Sequence, residues 1–196
     1  MDTSKQVEKF CAGYANKLSD VLSSSDWSGV AQLGEDMREC WLAGRQVFFC
    51  GNGGSAGNAI HLANDFLYGI AKRTGAGLKV QALSANPAVM TCLANDVGYD
   101  YIYSEQLAVL AESGDLLVVL SGSGNSPNIL RALKQANSMG VKSCAILGYT
   151  GGKSKSLADF SIHFPVDDMQ IAEDMQLVVG HMLMKWLNQN QPDMQS

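Results

Sequence analysis

Two short segments, Gly51-Asn52-Gly53-Gly54-Ser55 and Ser121-Gly122-Ser123-Gly124-Asn125-Ser126, each follow an apolar run and open a stretch with helical periodicity. Such a loop aims several backbone N–H groups and hydroxyls at one point and adds the positive end of a helix dipole. It therefore favours a phosphate without any lysine. Neither segment matches GxxxxGK[ST] or GxGxxG, so nucleotide binding is not indicated. Either one alone reads as a plain turn with an N-cap serine. Two at equivalent ends of one parallel sheet point to a phosphate ligand, because ligands in such folds sit at the carboxyl edge of the strands.

The second group is acidic and imidazole-based. His61 and Asp65 stand at i and i+4 after the first loop, on one helix face, where they could hold a metal or act as a proton-transfer pair. Further on, Glu173 and His181 are separated by about 80° around a helix axis, with Asp174 closer to the azimuth of His181. A lone histidine is ordinarily a core-lining or capping side chain, and that reading suits His163. It suits His61 and His181 less well. The helix carrying His181 is otherwise apolar (Leu177, Val178, Val179, Met182, Leu183), and an ionisable group there needs a partner.

The elements that must position these groups follow from the rest of the chain. At 196 residues, with 46% apolar and 17% charged, it has the size and composition of one globular domain, residues 1–196, with enough apolar material for a buried sheet. The net charge of −5 comes without any Lys/Arg cluster, which argues against direct nucleic-acid binding. Five cysteines, odd in number and without CxxC spacing, read as small buried hydrophobes in a reducing compartment. With no apolar signal core and no run of about 18 apolar residues, a soluble cytoplasmic protein without membrane contact is expected.

Val7, Phe10, Cys11, Tyr14, Leu18, Val21 and Leu22 have the three-four spacing of an amphipathic helix. A second helix, with Asp26 as its N-cap, ends near Gly44. Strand, polar turn and helix then alternate: Val47–Cys50 with a helix over 56–70, Val80–Leu83 with a helix from Pro87, Leu116–Leu120 with a helix, and Ala145–Leu147 before Gly148. Phe160–Pro165 suits an edge strand and 170–188 a long terminal helix. This order predicts a doubly wound α/β domain, a parallel sheet with helices on both faces behind two leading helices.

The run Cys-Gly-Asn-Gly-Gly-Ser-Ala-Gly-Asn-Ala-Ile-His at 50–61, Ala-Asn-Asp at 94–96 and Ser-Gly-Ser-Gly-Asn-Ser-Pro-Asn at 121–128 resemble the SIS (sugar isomerase) domain of the phosphoheptose isomerases along the whole chain. The resemblance implies a flavodoxin-like sheet and isomerisation of sedoheptulose 7-phosphate to a manno-heptose 7-phosphate, serving lipopolysaccharide or other surface heptose. It also implies a homotetramer, with residues 1–44 in oligomer contact and residues 45–196 as the sugar-phosphate core, sites between subunits, and zinc. Carried over by position, Ser55, Ser121, Ser123 and Ser126 bind phosphate, while Asn52, Gly53, Gly54, Asn95, Asp96 and Gly122 complete the substrate site. His61, Asp65, Glu173 and His181 match the metal set, with Asp65, Glu173 and His181 in the catalytic roles. Two positions depart from the family pattern: Asp65 stands where the family has a glutamate, and Glu173 where it has a glutamine.

The implied chemistry is an aldose–ketose shift, in which a base takes the proton beside the carbonyl and an enediol forms. Asp65 or Glu173 is the candidate base and His181 the acid. The rival expectation is a non-catalytic module of the same fold that binds a sugar phosphate or a replication-initiator protein. Such relatives tend to lose the terminal-helix histidine, which this chain keeps.

Overall fold

The computed structural model describes residues 2–72 and 75–192. Helices α1 (Thr3–Ser24) and α2 (Ser28–Leu42) lead into β1 (Gln46–Gly51) and α3 (Gly54–Leu67). Then come β2 (Lys79–Ala82), α4 (Pro87–Asp96), α5 (Ser104–Leu110), β3 (Leu116–Ser121) and α6 (Pro127–Ser138). The chain continues through β4 (Lys142–Leu147), the short α7 (Ser154–Leu157), β5 (Phe160–His163) and α8 (Met169–Gln189). The strands form one sheet of order β2-β1-β3-β4-β5, every neighbouring pair parallel. This is the doubly wound arrangement expected. Strand order reverses between β1 and β3, and the loops leaving these two neighbours are the two Gly-Ser segments.

The central strands β1, β3 and β4 read as nearly unbroken apolar runs because both faces are covered. Alternate residues feed two cores. Val47, Phe49, Val118, Leu120 and Ile146 pack with Met37, Trp41, Leu62, Phe66, Val179 and Leu183 of α2, α3 and α8. Phe48, Cys50, Leu117, Val119 and Ala145 pack with Leu107, Ile129 and Leu133 of α5 and α6. Phe49 stacks on Phe66 with ring centroids 5.8 Å apart, seating α3 on β1. Each buried Val, Leu, Ile, Phe or Met among these contributes about 1.5–3 kcal/mol.

Two local expectations need correction. Asp26 is not the N-cap of α2; Trp27 holds that position, and Asp26 instead accepts from the Ser28 amide at 2.9 Å. Cys11 and Cys92 are exposed, since neither α1 nor α4 has a buried residue. Cys40, Cys50 and Cys144 are buried as expected, and burial pushes the Cys40 thiol up to about 11 and the other two higher. The apolar stripe of α1 is divided. Tyr14, Leu18, Val21 and Leu22 pack against the core, whereas Val7 and Phe10 remain 55% and 74% exposed.

Candidate active site at the carboxyl edge of the sheet

The first loop turns sharply. A Cβ at Gly51 would stand 2.7 Å from the Ser55 carbonyl group, so only glycine lets the first turn of α3 fold back over the end of β1. Gly53, with φ 55° and ψ −121°, takes a backbone conformation that side chains resist. In the second loop the buried Ser121 hydroxyl accepts from the Gly124 amide at 3.1 Å, and Ser123 Oγ from the Asn125 amide at 3.4 Å.

A reciprocal amide pair ties the two loops together. Asn52 Nδ2 donates to Asn128 Oδ1 at 2.9 Å, and Asn128 Nδ2 donates back to Asn52 Oδ1 at 2.8 Å. Tyr99, in the turn after α4, donates its hydroxyl to Asn52 Oδ1 at 2.9 Å. The Asn52 side chain thus fixes loop against loop. Asn95 and Asp96 lie exposed at the end of α4, where Asn95 Nδ2 donates to Asp96 Oδ1 at 2.8 Å.

The imidazole and acid groups meet where α8 crosses α3. A Cβ on Gly180 would come within 2.1 Å of Leu62 Cδ2, so the crossing depends on a glycine inside a helix. It brings His61 Nε2 and His181 Nε2 to 2.9 Å, with Asp65 Oδ2 3.5 Å from the first and 3.7 Å from the second. Both imidazoles are half exposed. Their donor atoms and the Asp65 carboxylate all lie within 4.8 Å of one another. Ligands about 2.0–2.2 Å from a tetrahedral zinc stand roughly 3.3 Å apart, so two imidazole nitrogens and one carboxylate oxygen at these separations fit such an ion.

Glu173, expected with this group, is placed apart from it. Eight residues of α8 separate it from His181, about 12 Å of rise, and its carboxylate lies against Gly54 in the first turn of α3. The neighbouring Asp174 accepts from the Tyr14 hydroxyl of α1, and that bond pushes the phenol up to about 12. His163 has the structural role expected of it: its ring nitrogens meet the Tyr149 carbonyl at 2.9 Å and Lys155 Nζ at 3.1 Å.

Helix α3 therefore starts in the first Gly-Ser loop and, two turns later, presents His61 and Asp65 to His181 of α8. A family model described as the SIS domain matches residues 9–148. Over 181 residues the chain is 36% identical to the phosphoheptose isomerase of Akkermansia muciniphila, covering 92% of this chain and 94% of that one. The chain belongs to the phosphoheptose isomerase family of SIS-domain proteins. Among solved structures, a phosphoheptose isomerase from Francisella tularensis superposes with a TM-score of 0.88 at 25% identity, covering 96% of this chain and all of that one. That of Neisseria gonorrhoeae gives 0.86 at 25% identity, over 93% and 99%.

The groups that sequence reasoning did not single out are those that hold the site's members in place: Asn58, Tyr99, Asn128, Gln176 and Gly180. A signal existed for two of them. Gly180 costs about 1 kcal/mol against alanine inside a helix, and Gln176 interrupts an apolar stretch of α8; each anomaly marks a close contact that has to be met.

Proposed function

We propose that this enzyme interconverts sedoheptulose 7-phosphate and D-glycero-D-manno-heptose 7-phosphate, in the cytoplasm, for surface heptose such as that of lipopolysaccharide. The observation that carries the reading is that α3 starts in the first phosphate-type loop and, two turns later, presents His61 and Asp65 to His181 of α8. Six residues of α3, about 9 Å of rise, separate Ser55 from His61, which leaves room for a phosphorylated open-chain sugar between them. Ser55, Ser121, Ser123 and Ser126 and the loop amides hold the phosphate. Asn52, Gly53, Gly54, Asn95, Asp96 and Gly122 border the sugar.

In the isomerisation a carboxylate, Asp65 or Glu173, takes the proton from the carbon beside the carbonyl, and His181 moves protons at the sugar oxygens. His61, Asp65 and His181 would hold zinc, which when bound would supply Lewis-acid stabilisation of the developing oxyanion, while Glu173, against Gly54, stands outside this ligand set. Metal analysis of the purified protein, with exchange of the ketose C1 proton in deuterated water, tests this reading. The expected result is bound zinc and exchange with sedoheptulose 7-phosphate above that with shorter ketose phosphates. Metal-replete protein that binds sugar phosphates yet exchanges none of them would be a binding module instead.

A homotetramer with sites between subunits completes the reading. Val7 and Phe10 leave an apolar end on α1. A groove of about 680 Å³ beside α4 and α5, bordered by Val89, Leu93, Val109 and Leu110, leaves another apolar face uncovered, and burial between copies is its natural remedy. Light scattering at micromolar concentration should give four times the 21.0 kDa chain mass, and a 21.0 kDa particle would overturn the assembly.

A further inference from the structure

We propose that Gln176 is a positioning residue that turns the Ser55 hydroxyl hydrogen toward the substrate's phosphate. The proposal rests on the phosphate reading given above and names the group that orients one of its donors.

The argument starts at an atom of unambiguous polarity. Asn58 Nδ2 lies 3.0 Å from the backbone carbonyl oxygen of Glu173, which can only accept, so the amide nitrogen must be the atom facing it. The same nitrogen is 3.0 Å from the Gln176 side chain, whose facing atom must therefore be oxygen, Oε1. That leaves Gln176 Nε2 turned the other way, 3.0 Å from Ser55 Oγ, where it can only donate. A hydroxyl has one hydrogen to give. With its oxygen already accepting from Gln176, Ser55 keeps that hydrogen for another acceptor.

Gly51, the residue four back, lies at the end of β1 and not in the helix, and its carbonyl accepts the hydroxyl of buried Tyr103. Ser55 and Gln176 are 3% and 1% exposed, so water cannot readily correct a misdirected hydroxyl. Ser55 is also the second residue of α3, at the positive end of the helix where an anion is favoured. The hydrogen-bond relay from α8 thus presents a donor at the phosphate position with its direction set before the ligand arrives.

Replacing the amide with groups of similar shape separates orientation from packing. Gln176→Glu reverses the polarity: an ionised carboxylate accepts from Ser55 and draws the hydrogen away from the phosphate. Gln176→Met keeps the length, adds no charge and removes the bond. Calorimetric binding of inorganic phosphate and steady-state kinetics with sedoheptulose 7-phosphate are the readouts. Loss of a donor to a charged group corresponds to about ten- to a hundredfold, so Ser55→Ala and Gln176→Glu should each weaken phosphate binding and raise KM on that order. Gln176→Met should weaken both by about fivefold, in keeping with a neutral hydrogen bond. In all three the rise in KM should exceed any fall in kcat.

The pair Ser55→Ala with Gln176→Met decides the mechanism. If Gln176 acts through Ser55, the double variant binds phosphate no more weakly than Ser55→Ala alone. Penalties that add in full, or wild-type phosphate affinity in both Gln176 variants, would overturn the positioning role. Ser55→Ala with undiminished phosphate affinity would instead overturn the phosphate reading itself, and the proposal with it.

Discussion

His181→Ala should lower turnover by about a hundred- to ten-thousandfold, the range lost when general acid–base help is removed, and should lower zinc content in the same preparation. The expectation of a joint loss comes from geometry: His181 Nε2 is 2.9 Å from His61 Nε2 and 3.7 Å from Asp65 Oδ2, so one ring serves both the ligand set and the proton transfer. The fold should survive. The His181 side chain is 51% exposed, and surface substitutions away from buried networks usually change stability by less than about 0.5 kcal/mol. The check is turnover, zinc per chain and thermal midpoint measured on one sample. Undiminished turnover would remove His181 from the chemistry. Full zinc content with lost turnover would leave it as the acid alone and assign the metal to the remaining groups.

The fold was legible because its signals are local and repeated. Each central strand announces itself as a short apolar run followed by a Gly-containing turn, and the parallel sheet with helices on both faces follows from alternation with helices. The helix α5 escaped notice because Ser104–Leu110 is short and follows irregular turns, too brief for a periodicity to register. Within the site, the i, i+4 spacing of His61 and Asp65 fixes their proximity from one helix alone. The meeting of His61 with His181 needs something spacing does not contain, the crossing of α3 by α8 at Gly180 and Leu62. Glu173 shows the limit most sharply. The family resemblance placed it with His181, but in this chain the helix rise carries it toward the loops, against Gly54.

Asn52 illustrates a different limit. A position within a motif names a residue without saying whether its side chain faces a ligand or its neighbours. The structure engages both ends of the Asn52 amide with Asn128 and adds Tyr99, so its side chain holds the relative position of the loops. The exposed surface there belongs to Gly53 and Gly54. Side-chain networks that connect elements distant in sequence are set by tertiary packing, and they are also what lets neutral donors act together without a lysine.

Gly54→Ala is expected to leave the protein folded and still cost about a hundredfold or more in turnover. Gly54 begins α3 with an ordinary helical backbone, so alanine meets no conformational penalty and is intrinsically the better helix former. The added methyl, however, would lie 2.3 Å from Glu173 Oε2 and 2.6 Å from its Cδ, inside contact distance. The carboxylate is the far end of a flexible side chain, so it swings aside and the helices stay packed. Stability is then nearly unchanged while an acidic group leaves its position beside the sugar. If Glu173 takes part in proton transfer, Gly54→Ala should lose most of what Glu173→Ala loses, a general-base contribution of about a hundred- to ten-thousandfold. The double variant should be no worse than Glu173→Ala alone, because both changes remove the same group from the same place. Thermal melts alongside kcat and KM for the three variants provide the measurement. Full turnover in Gly54→Ala with an intact melt would show that the carboxylate's position over α3 is irrelevant to the reaction and would leave Asp65 as the base.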